Sequence, residues 1–122
     1  MALNIIGGSV SPSTALTVNA QTGTTYTFVL TDSNNTLVTA SNASAQTYSI
    51  PTNASVAYPI GAQINIIAIG AGQVTIQAVT SGTTTVLSNG TTAASPKLRV
   101  QYSSASCVKV ATDTWYVIGD IV

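Results

Sequence analysis

Apolar and polar side chains alternate with a period of two along most of this chain, and no apolar i, i+3, i+4, i+7 stripe persists for three turns. That pattern excludes a helical fold. Thr25-Tyr26-Thr27-Phe28-Val29-Leu30 sends Tyr26, Phe28 and Leu30 to one face and mostly threonine to the other. Lys97-Leu98-Arg99-Val100-Gln101-Tyr102 points Leu98, Val100 and Tyr102 inward and Lys97, Arg99 and Gln101 outward, and Val74-Thr75-Ile76-Gln77-Ala78 repeats the alternation. Abundant Thr and Val favour strands over helices. The chain is all-β.

Turn residues cut these runs at short intervals. Thr31-Asp32-Ser33-Asn34-Asn35 separates the Tyr26 run from Leu37-Val38-Thr39-Ala40, and Thr47-Tyr48-Ser49-Ile50 stops at Pro51, which cannot donate to a ladder. Gly70-Ala71-Gly72 reads as a hairpin loop between residues 64–69 and 74–79, and Thr112-Asp113 as a second one between 108–111 and 114–118. Eight to ten short strands at this spacing predict an antiparallel β-sandwich, jelly-roll-like, with an extended N-terminal segment. A β-solenoid is the alternative, but the strand spacing shows no fixed period. Residues 24–122 form the sandwich domain in this reading. Residues 1–23, rich in Gly, Ser and Thr, are either a docking arm or edge strands of the same sandwich.

Charge decides what such a domain can do. The 122 residues carry three cations and three aspartates, with no histidine and no glutamate. Proton-transfer enzymes cluster titratable groups in a cleft, and little is available here to build one. Three cations cannot supply the phosphate contacts that nucleic-acid binding needs. Apolar runs such as Ile66-Ile67-Ala68-Ile69 are too short for a membrane helix, and the first residues, Met-Ala-Leu-Asn-Ile-Ile, lack the cationic start of a secretory signal. Zero formal net charge and 45% hydrophobic residues describe a chain that associates readily.

Individual candidates fit that picture. Cys107, the single cysteine, allows no intrachain disulfide and has no imidazole to activate it; Lys109, two residues on and on the same face, is placed to lower its pKa, but a structural thiol is the expectation. Asp32 and Asp113 sit in turns, where Asp satisfies local N–H groups, so no metal site and no cofactor are expected. Trp115 and Tyr116 are adjacent and must face opposite ways in a strand, so one of them is expected at an interface. Ile5, Ile6 and Leu16 are the apolar residues through which the N-terminal segment would join the same interface.

The second half carries a further pattern. Ile50-Pro51-Thr52-Asn53-Ala54-Ser55-Val56-Ala57-Tyr58-Pro59-Ile60-Gly61-Ala62-Gln63-Ile64 runs into Gly70-Ala71-Gly72-Gln73-Val74-Thr75-Ile76. Lys97-Leu98-Arg99-Val100-Gln101-Tyr102-Ser103 follows, then Lys109 and Trp115-Tyr116-Val117-Ile118-Gly119-Asp120. Over residues 24–122 this resembles a small β domain that recurs in tailed-bacteriophage structural proteins, at the C-terminus of tail fibres or as a short separate protein. The resemblance implies a non-enzymatic virion protein. Only a short segment precedes the domain, which suits a capsid decoration or cement protein on the shell exterior better than a fibre. The implied partners are further copies of the chain, as a trimer, and the major capsid protein. A tail-tip receptor-binding module contacting host glycans is the alternative, and an adhesin or pilin-like subunit a third.

Overall fold

The alternation resolves into nine strands in the computed structural model, which describes residues 15–122. They are β1 (Thr17–Gln21), β2 (Thr25–Thr27), β3 (Thr36–Ala40), β4 (Gln46–Ile50), β5 (Gln63–Ala68), β6 (Val74–Ala78), β7 (Thr85–Leu87), β8 (Ser104–Ala111) and β9 (Thr114–Gly119), with a 3-10 helix at Leu30–Ser33. Six strands form one sheet in the order β1-β3-β5-β8-β9-β7, and three form the other as β2-β4-β6.

The chain is all-β as expected, but the sheets are mixed rather than antiparallel. The first six strands alternate between the two sheets and pair in parallel, β1 with β3 and β5, β2 with β4 and β6. They wind as a coil of three rungs, each giving one strand to each sheet. Only β8 enters antiparallel, against β5 and then against β9, while β7 lies parallel to β9. Inward residues of both sheets meet in one core, including Val38, Ile64 and Ile66 from one side and Tyr48, Ile50 and Ile76 from the other. Tyr26, Phe28 and Tyr48 pack ring on ring between them, with centroids 5.6 to 6.0 Å apart.

Three of the local expectations change for physical reasons. Gly70-Ala71-Gly72 is a corner between sheets, not a hairpin, and it stacks directly on the preceding rung. Ile69 and Gly70 N–H groups both donate to the Ala40 carbonyl, Gly72 N–H donates to Asn42 O, and Asn42 Nδ2 reaches Thr22 O on the rung before. A Cβ on Gly72 would lie 1.8 Å from the Ser44 carbonyl oxygen, so only glycine lets the corners close up. Residues 97–102 are not a strand: Leu98 is buried and bridges to Ile121, but the chain then turns. Ser103 N–H donates to Val100 O across that turn, Tyr102 takes the left-handed region at φ 71, and Val100 and Tyr102 point into solvent. Leu30 likewise leaves the Tyr26–Phe28 face, because the 3-10 helix begins there.

Candidate functional site

Alternation along β9 buries Trp115 and Val117 and presents Tyr116 and Ile118. Because register carries a face across a sheet, the outward residues line up in rows. One row runs Val18, Leu37, Asn65, Ser106, Ile118 across β1, β3, β5, β8 and β9. A second runs Gln63, Val108, Tyr116, Leu87 across β5, β8, β9 and β7. Neither row contains a charge. Val18 and Ile118 are each 60% exposed and Tyr116 45%. In the middle of the face the polar groups satisfy one another: Gln63 Nε2 donates to Asn65 Oδ1 at 2.9 Å, and Ser106 Oγ donates to the same oxygen at 2.7 Å. Where β7 ends, Leu87, Ser88, Asn89, Tyr116, Ile118 and Gly119 border an open groove of about 470 Å³.

The expected interface residues divide. Trp115 is 1% exposed, edge-on to Tyr58 at 5.2 Å, and so has no surface to offer a partner; Tyr116 has. Leu16 is exposed just ahead of β1, at the opposite margin of the sheet from β9. Ile5 and Ile6 lie outside the described residues. The 1–23 segment is not uniform, since residues 17–21 are the edge strand β1.

The aspartates stand apart from one another. Asp120 pairs with Arg99 at 2.7 Å and accepts from Ser103 Oγ, and these partners hold its carboxyl below the ordinary range. Asp113, at φ 53 between β8 and β9, accepts from Asn53 N–H and Thr84 Oγ1. Asp32 is buried and accepts from Tyr26 Oη, Asn19 Nδ2 and Val29 N–H, all at 2.8 to 2.9 Å. Among the described residues no three His, Cys, Asp or Glu side chains gather as metal ligands would. Cys107 is fully buried, and burial pushes its thiol up to about 12. Lys109 does not lower it, because its ammonium is turned to other partners.

Two polar features escaped the sequence reading. Asn19 faces inward from β1, at the end of the coil, and its side chain joins Gln21, Tyr26 and Asp32 along the wall of a groove of about 590 Å³. Burial and the hydrogen bond to Asp32 push the Tyr26 phenol up to about 12. Lys109 faces inward from β8, 2% exposed, opposite Trp115 in register. Its Nζ donates to Asn53 Oδ1 at 2.5 Å and to the Tyr58 carbonyl at 2.6 Å. Only Lys109 left a signal, since it shares a face with Cys107 in an alternating run, whereas the alternation of Leu16 and Val18 with Thr17 and Asn19 assigns Asn19 outward.

No family model matches the chain, and neither a curated protein nor a solved structure does.

Proposed function

We propose that this chain is a non-enzymatic structural protein of a tailed-phage virion, a capsid decoration or cement protein that self-associates, as a trimer, on the shell exterior. The observation that carries the reading is the uncharged outer face of the six-stranded sheet. Single exposed apolar residues are ordinary, but a whole sheet face with apolar residues at both margins and no charge in either row is an association surface. Nothing charged has to be desolvated when it is covered, and a second copy of the same face is equally uncharged. The jelly-roll-like sandwich of the sequence reading belongs to the same proposal at the level of layers, two sheets over one core.

Sedimentation of the purified chain tests self-association, with a trimer expected and Ile118→Asp expected to yield folded monomers that still unfold cooperatively, at a lower midpoint than the trimer. A monomeric wild type would remove the reading. Quantitative mass spectrometry of purified virions tests location: hundreds of copies per particle are expected, in proportion to the major capsid protein. A few to a few dozen copies would instead place the chain in the tail. One observation favours that second reading. The groove lined by Asn19, Gln21, Tyr26 and Asp32 offers amide, carboxylate and phenol groups of the kind that hydrogen-bond sugar hydroxyls.

A further inference from the structure

Burying an ammonium group has a penalty of several kcal/mol unless an opposite charge accompanies it. Lys109 is 2% exposed, and the one ion pair among the described residues is Arg99 with Asp120. The Lys109 amine lies instead against two neutral oxygens, the Asn53 side-chain carbonyl at 2.5 Å and the Tyr58 backbone carbonyl at 2.6 Å. The amide is held there from its own backbone: Asn53 N–H donates to Asp113 Oδ1 at 2.7 Å, and Thr84 Oγ1 fixes that carboxylate at 3.0 Å. Trp115 and Tyr58, edge to face, lie on the same side of β8. A primary amine and a carboxamide are thus kept in contact inside the fold, the proximity that turns a slow bimolecular reaction into a unimolecular one.

We propose that Lys109 and Asn53 join in an intramolecular isopeptide bond that ties β8 to the loop following β4. Nζ gives up a proton, its lone pair attacks Cγ of Asn53 and an Nζ–Cγ bond forms. The Cγ–Nδ2 bond breaks, and the amide nitrogen leaves as ammonium, carrying both protons given up by Nζ and with them the charge. No oxidant, reductant or co-reactant takes part. The product removes the unpaired buried charge, because the cation becomes a neutral amide. For a virion protein the result is a covalent staple across the part of the chain that holds β5, β6 and β7, made without any disulfide.

The test is the intact mass of the purified full chain, followed by tryptic mapping. The expected mass is about 17 Da below that of the sequence, the loss of one ammonia. Trypsin should then fail to cut after Lys109 and should leave residues 1–97 and 100–122 as one branched species. Lys109→Arg keeps the cation but not the primary amine, and it should restore the full mass. A wild-type chain of full mass overturns the proposal. A deficit that survives in Lys109→Arg also overturns it, since ring closure at Asn89-Gly90 would lose the same ammonia.

Discussion

At the scale of single residues, direction in a strand was legible and depth was not. Trp115 and Tyr116 had to face opposite ways, and they do. A pattern read by polarity assigns Asn19 outward, and although it put Lys109 on the Cys107 face, it named no polar partner for either side chain. Glycine at the corners is a residue-scale constraint with a sharp consequence. The Gly72→Ala methyl would meet Ser44 O at 1.8 Å and Ser44 C at 2.4 Å, both backbone atoms of the neighbouring rung that cannot swing aside. We expect a loss of roughly 3–5 kcal/mol in urea unfolding, near the upper end for point substitutions. Gly82→Ala, with nothing within 4 Å of the new carbon, should shift stability by less than about 0.5 kcal/mol. Equal effects at the two sites would mean that the corners are not in contact.

At the scale of elements, most strands could be placed from sequence, and their pairing could not. Alternation marks β3, β4, β5, β6 and the β8–β9 hairpin, but it is blind to whether neighbours run parallel. The coil is hidden by its own irregularity: Thr17 lies opposite Thr36, whereas Leu37 lies opposite Asn65, a longer step. The loop carrying Asn53 and Tyr58 makes the difference, and it destroys the fixed period that would have announced a solenoid. Residues 97–102 alternate well yet find a partner only at Lys97 and Leu98, so tertiary context overrides the pattern. The same element view divides the N-terminal segment. A chain beginning at Ala15 keeps every described strand and serves as the reference. A chain beginning at Thr22 loses β1, uncovers the β3 edge and takes the Asn19 donor from buried Asp32. That truncation should lose about 3 kcal/mol or more and should aggregate at the exposed edge. An unchanged midpoint for the shorter chain would show β1 to be a docked strand rather than part of the fold.

At the scale of the whole molecule, what is absent from the composition determines how the fold responds to pH. There is no imidazole, so no side chain with an ordinary pKa titrates between about 5 and 8. The groups whose pKa values move most are acids pushed upward: Cys107 from 9.0 to about 12, Tyr26 and Tyr48 from 10.0 to about 12, and Tyr58 upward as well, all chiefly through burial. For an acid raised by folding, the native state holds the proton while the unfolded chain releases it. Below about 9 both states are protonated and stability is complete. Between about 9 and 12 only the unfolded chain ionises, so stability falls as pH rises, and each such group steepens the fall by up to about 1.4 kcal/mol per pH unit. On the acid side Asp120 acts in the opposite sense, its depressed pKa giving stability that is lost as pH drops, but its pairing with Arg99 is exposed and contributes little. Urea midpoints should therefore agree at pH 6 and pH 8 and be clearly lower at pH 10.5. The expected loss of stability coincides with ionisation of groups in the shared core, so in a chain carrying Tyr102→Phe and Tyr116→Phe, which removes the two exposed phenols, near-ultraviolet tyrosine ionisation should track unfolding instead of preceding it. A midpoint that held steady through pH 10.5, or tyrosinate appearing at its ordinary pKa in the folded double variant, would mean that these side chains are not enclosed between the two sheets.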